Sequence, residues 1–322
     1  MAEAPAMSIT VRDDRVQVGE RFAFTLQRTL RIPDDGGTYP LPPGFGPLPV
    51  HRVESYAGRV PAAWRRTGGF FVPVYQREAL WLQFEAAWWK PNAVMVAVGG
   101  VNAVSGGDWR ESMNAEPQNY LVCPDQPWLD GINAGDGMIR QFVAVPLGGG
   151  DTVEEQLTGT AEVGGIQIRI IEPRPGRFRD EPPPGGDVRF DAFDAIPTEM
   201  GVAAGGRIRQ KIYPDRYGLD TWDEGNRADI FVHLVNSEQY RSVTGRPPPP
   251  SPISAKLYTD MGLPWYDLYD EAHRDVGAAR RLQEVKSLRE RDAGRGAPPD
   301  PGDEPLRVDP SQVIGLNPPE KD

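Results

Sequence analysis

Pro91-Asn92-Ala93-Val94-Met95-Val96-Ala97-Val98-Gly99-Gly100 decides the fold class. Ala93 to Val98 is the longest apolar run in the chain, and a proline and a glycine pair bound it. Strands usually run about four to eight residues and globular helices longer, so the length favours a strand. A short, continuous apolar run closed by breakers reads as a strand covered on both faces.

Upstream, Phe70, Phe71, Val72 and Val74 begin another strand. Leu80, Leu82, Phe84 and Ala86 then alternate with Trp81, Gln83 and Glu85. Arg77 to Ala87 would tolerate a helix, but the period of two in Trp and Phe favours strand. Nearer the start, Val16 and Val18, then Phe22, Phe24 and Leu26, repeat that period, with Asp13-Asp14 as the turn. Residues 33–50 alternate Pro and Gly with single apolar residues. They read as a long loop packed by Tyr39, Leu41, Phe45 and Leu48.

Downstream, strands are predicted at Tyr120 to Cys123, Met138 to Val145, Gly165 to Ile170, Gly206 to Tyr213 and Asp229 to Val235. In the third of these, Ile166, Ile168 and Ile170 alternate with Gln167 and Arg169, which predicts one wet face. The polar segment 172–187 is the best candidate for an internal boundary.

From Arg246 the character changes. Pro247 to Pro250 with Pro252 form a stiff connector, and Ser254 caps a short helix through Asp260. Val276, Leu282, Val285 and Leu288 predict one amphipathic helix over 276–291. The expected organisation is a β domain over 8–171 and a second β subdomain, or its continuation, over 188–245. A proline-rich connector and helical tail follow over 246–292, then disorder over 293–322. The fold class is mainly β, an antiparallel sandwich of one or two β subdomains, with a Pro-rich strap and a short C-terminal helical extension.

The 322 residues carry 36 Gly and 34 Pro, so turns are many and long helices few. Trp 8, Tyr 10 and Phe 11 supply a core that a disordered chain would lack. The net charge of −11 disfavours nucleic acid and anionic membrane surfaces as partners. One cysteine excludes a disulfide within the chain. The opening residues carry no secretory signature, and no apolar stretch is long enough for a membrane span. A cytoplasmic protein is expected.

No catalytic motif stands out. Cys123 continues an apolar strand without a basic neighbour, so burial is its expected role. His51, His233 and His273 lack zinc-site spacing. Glu154 and Glu155 could supply one member of a glycosidase pair, but no second member can be placed. The glycine runs match no phosphate-binding loop. No cofactor is expected, save calcium at the carboxylates Asp215, Asp220, Asp223 and Glu224, which fall within ten residues but not at EF-hand spacing.

The aromatic residues are the other lead. Trp128, Asp130 and Trp222 could line a saccharide cleft, while Trp265 and Tyr266 sit in an apolar-aromatic stretch that must pack on something. Trp88-Trp89 on one strand would face opposite sides, placing one in a groove or interface. Two functions follow as expectations. The first is a non-catalytic binding or structural protein with a protein partner or self-association. The second is a carbohydrate-binding or carbohydrate-active protein.

Gln27-Arg28-Thr29-Leu30-Arg31-Ile32-Pro33, Gln126 to Gly131, Ile139 to Ala144 and Gly262-Leu263-Pro264-Trp265 resemble a mainly bacterial protein family to which no activity is assigned. The resemblance covers most of residues 8–290. It implies only that the β region and the tail are one unit.

Overall fold

The computed structural model describes residues 7–181, 200–268 and 274–316. Strand makes up 38% and helix 17%, so the protein is mainly β. β1 (Ile9–Arg12) and β2 (Arg15–Val18) form a hairpin whose two turn residues, Asp13 and Asp14, both have positive φ. Those are the dihedrals that a tight two-residue hairpin turn requires. β3 (Phe22–Thr29) follows, then the short β4 (Thr38–Tyr39), β5 (Gly44–Pro47) and β6 (His51–Arg52). After helix α1 (Ala62–Thr67) come β7 (Phe70–Val74), β8 (Ala79–Ala86) and β9 (Asn92–Val98).

Four shorter strands succeed these: β10 (Val101–Asn102), β11 (Leu121–Cys123), β12 (Trp128–Leu129) and β13 (Gly131–Gly135). β14 (Met138–Pro146), α2 (Val153–Thr158), β15 (Ile166–Pro173), β16 (Met200–Arg209) and β17 (Trp222–Asn236) complete the main sheet network. α3 (Ser237–Thr244) ends it.

The pairings sort into two layers. In one, β2 pairs with β3, β3 with β8, β8 with β14 and β14 with β16, all antiparallel. In the other, β7 runs parallel to β17, and β17, β15, β9 and β11 pair antiparallel in that order. Among the described residues, the pair Met200↔Leu234 joins the layers. Alternate residues of both layers meet in one buried cluster, including Phe24, Leu82, Phe142 and Val202 from the first and Val72, Val96, Ile168 and Val232 from the second. Two layers sharing their inner faces make a β-sandwich. β9 is buried along its whole length, as the opening stretch predicts.

Several expectations need correction. Gln167 and Arg169 are buried, not wet, because loops and side chains cover the outer face as well. Arg169 pairs with Asp229 at 2.6 Å and lies 5.1 Å from the Trp109 ring, while Gln167 accepts from Gly100 N–H and donates to Gly164 O. The 33–50 loop contains β4 and β5, which pair with β16 and β3. Tyr39, Leu41 and Leu48 are buried there.

The helix predicted over 276–291 is broken into α5 (Arg280–Gln283) and α6 (Leu288–Gly294), with α4 (Ala255–Asp260) and strand β18 (Trp265–Leu268) preceding them. Ser287 and Glu290 form a capping box that starts a fresh helix. Leu282 and Val285 enter the main core, while Leu288 joins a separate cluster with Val143 and Ala203. Those two destinations, not helix propensity, set the break.

The tail lands on its own β domain. Tyr75 OH donates to Pro249 O at 2.7 Å and Arg28 to Pro250 O at 3.0 Å, which ties down the proline connector. Residues 293–316, expected as disorder, run along the sheet. Arg31 holds Asp300 and Asp303 at 3.0 and 2.6 Å. The last strand, β19 (Val313–Leu316), pairs parallel with β18. No helix among the described residues is long and apolar enough to cross a membrane.

Candidate functional site

An open groove of about 720 Å3 lies between the β8–β9 turn and the segment after β15, lined by Trp88, Trp89, Gly176, Arg177, Phe178 and Arg179. Trp88 and Trp89 sit in the turn, not on a strand. A turn residue has no sheet to bury it, and Trp88 is 63% exposed. The two indoles are perpendicular, at 88° with centroids 6.2 Å apart. On the facing wall, Phe178 meets Tyr217 edge-on at 5.3 Å, and Tyr217 meets the buried Trp222 at 6.1 Å. This relay of perpendicular rings anchors an exposed wall to the core.

Charge ties the walls together. Lys90 Nζ lies 2.5 Å from Asp180 Oδ1, so the turn grips the segment opposite. Arg177 pairs with Asp220. Arg179 is exposed and makes no ion pair with a described residue.

The residues singled out from the sequence do not gather into one cleft. Trp265 is fully buried, its indole N–H donating to Thr259 Oγ1 at 3.2 Å. Tyr266 is half-buried and exchanges backbone hydrogen bonds with Leu41. Trp128 is half-buried against the same cluster. Trp222 belongs to another cluster and is 1% exposed, so it offers no stacking face. Asp130 is buried. Its Oδ2 accepts from Gln210 Nε2 at 2.8 Å, and its N–H donates to Gln210 Oε1 at 3.0 Å. Burial pushes its carboxyl up to about 7, against the hydrogen bonds from Trp128 and Gln210.

The four carboxylates proposed for calcium are engaged separately. Asp215 Oδ2 accepts from Tyr120 OH at 2.6 Å and from Trp222 Nε1 at 2.9 Å. Asp220 pairs with Arg177, Asp223 Oδ1 accepts from Gly225 N–H, and Glu224 Oε2 accepts from Met113 N–H at 3.1 Å. Among the described residues no group of three or more His, Cys, Asp or Glu is placed to hold a metal ion.

The other reactive groups have structural partners. Burial holds the Cys123 thiol well above its usual range, and Asp125 adds to the effect. Glu154 accepts from the N–H groups of Glu162, Val163 and Gly164 at 2.7 to 2.8 Å, stapling a loop. Glu155 closes the capping box of α2 with Thr152. His51 contacts Tyr240 OH at 3.0 Å. His233 stacks on Trp64 at 4.6 Å, and burial pushes it down to about 4. His273 lies outside the described residues.

Sequence reasoning passed over Arg177, Phe178 and Arg179 because they fall in the polar Pro/Gly segment read as a boundary. The usable signal was an aromatic flanked by two arginines within a stretch otherwise free of large apolar residues.

No protein-family profile matches the chain. No solved structure matches it. Over 131 residues the chain is 30% identical to the tRNA modification GTPase MnmE of Cupriavidus necator, covering 36% of this chain and 26% of that protein. The chain thus spans about a quarter of that relative's length. None of the lysines here follows a glycine, so the sequence contains no GxxxxGK[ST] phosphate-binding loop.

Proposed function

We propose that this chain is a non-catalytic binding protein and that the groove at Trp88 is its ligand-facing element. The observation that carries the reading is a largely exposed tryptophan that lines one concavity together with Phe178, Arg177 and Arg179. The volume lies within the range of small-ligand sites, about 300–1,000 Å3. Against catalysis stands the engagement of Cys123, Glu154, Glu155 and His233 in structural contacts. Binding in this groove calls on no metal. The buried, lone cysteine supports a cytoplasmic location.

The test is a ligand screen on the whole chain, repeated with Trp88→Ala. The expected result is that hits vanish in the variant while Tm is unchanged. A ligand that binds the variant as tightly as the parent would overturn the groove as the binding face.

A second reading, self-association, rests on a different surface. Leu257 and Met261 lie one turn apart at α4, 49% and 61% exposed, beside Ile253 at 38%. Apolar side chains grouped this way favour a partner. Light scattering across a concentration series, with Leu257→Glu and Met261→Glu combined, tests it. A parent that stays monomeric at high concentration removes this reading.

A further inference from the structure

We infer that the groove takes a saccharide bearing a single carboxylate, with a pyranose face on Trp88 and the carboxylate on Arg179. This rests on the reading of the groove as the ligand-facing element, and it adds the chemistry of the ligand.

The ring geometry comes first. Because Trp88 and Trp89 stand at 88°, they do not stack on each other, and the indole of Trp88 stays free to take a flat partner. An indole face carries negative π density and attracts polarised C–H bonds. A pyranose presents such bonds on one face and oxygens around its rim. The rim oxygens need donors, and Arg177 and Arg179 line the same groove.

Charge then narrows the class. Asp220 compensates Arg177, and Asp180 compensates Lys90. Arg179 has no such partner among the described residues. Among the described residues, Arg179 is therefore the one groove cation without an ion pair. A guanidinium is a planar fork matched to a carboxylate, which accepts two parallel N–H bonds. The same arginines repel cationic ligands such as methylated amines, for which an aromatic cage would otherwise be suited.

Nucleic acid is the competing occupant, because bases also stack on exposed aromatics. Its affinity comes mainly from neutralising several phosphates in a row. Here, among the described residues, one groove guanidinium lacks an ion pair, on a chain of net charge −11. A glycan with one acid among neutral sugars meets the local positive charge without presenting a polyanion to the acidic remainder.

The experiment is calorimetric titration of the full chain with a xylo-oligosaccharide carrying one glucuronate. The methyl ester of that sugar, the unsubstituted oligosaccharide and oligo-dT serve as comparators. The acid is expected to bind at least ten times more tightly than its ester, with the gap shrinking as salt is raised. Arg179→Gln should bring acid and ester to equal affinity while leaving the weaker binding of both. Trp88→Ala should abolish binding of all the sugars at unchanged Tm.

Equal binding of acid and ester by the parent would refute the carboxylate assignment and leave the groove reading standing. Sugar binding untouched by Trp88→Ala would overturn both. Binding of oligo-dT but of no sugar, or of none of the probes, would overturn the saccharide assignment.

Discussion

Arg28 Nε lies 2.5 Å from Glu78 Oε1, and both side chains are buried beneath the proline connector. The pair joins β3 to the residue that leads into β8. Glu78 also accepts from Tyr75 N–H at 2.7 Å, and Arg28 reaches on to Pro250 O. Burial pushes the Glu78 carboxyl up, against the pull of Arg28. Removing either partner leaves a buried charge or donor unpaired, at a cost of about 3–5 kcal/mol. Glu78→Ala is therefore expected to lower stability by that order in urea unfolding. Arg28→Met with Glu78→Leu should cost less than the two single changes summed. Additive losses would mean the pair is not coupled.

The same connector leads into a tail held by ion pairs. Arg31 reaches Asp300 and Asp303, while Arg77 reaches Asp292 and Asp300 at 2.7 and 2.9 Å. Leu306, Val308 and Val313 add apolar contact with the cluster around Tyr39 and Trp265. Arg31→Ala combined with Arg77→Ala is expected to raise amide exchange across 300–316 at least ten-fold, since local opening is limited by few contacts. β9 and β15 should stay protected. Unchanged exchange in the tail would place its anchorage in the apolar contacts alone.

The sandwich strands were legible because period and breakers agree there. Ala93 to Val98 is bounded by Pro91 and Gly99, and Leu80, Leu82 and Phe84 keep a strict alternation. What failed was whatever depends on distant cover. Nothing near Gln167 and Arg169 in sequence announces Trp109, Asp229 and the Gly100 amide that bury and satisfy them. The stripe at 276–291 reads as one helix because sequence cannot show that Leu282 and Leu288 enter different clusters. The groove was half legible. Trp88-Trp89 stood out, but its opposite wall lies some ninety residues away in a segment whose composition suggests only a linker.

Gly131 marks a close approach that the sequence does not signal. A Cβ there would lie 1.9 Å from the backbone oxygen of Arg140, within the β13–β14 ladder beside Asp130. Backbone must move to admit it. Gly131→Ala is expected to destabilise by at least 1–3 kcal/mol, the usual cost of overpacking. Gly58→Ala, where nothing lies within 4 Å, should stay within about 0.5 kcal/mol of the parent. Equal effects in thermal unfolding would contradict the tight β13–β14 contact.

Asp130 and His233 give the fold two opposed responses to pH. The Asp130 carboxyl titrates near 7 in the fold and near 3.8 when unfolded. The folded state therefore holds the extra proton in that window, and stability falls as pH rises through it. The full span corresponds to about 4 kcal/mol, at 1.36 kcal/mol per unit. His233 titrates near 4 in the fold against 6.5 unfolded. Its contribution is present above 6.5 and is lost as pH falls towards 4, by about 3 kcal/mol. In the parent the two largely offset each other between pH 4 and 6.5. Asp130→Asn keeps an acceptor for Gln210 without a charge to bury, so its stability relative to the parent should climb by a few kcal/mol from pH 4 to pH 8. His233→Gln should show the reverse, gaining on the parent as pH falls below 6.5. Urea unfolding at pH 4.5, 6 and 7.5 reads both slopes, and a pH-independent difference for Asp130→Asn would place that carboxyl at its ordinary value.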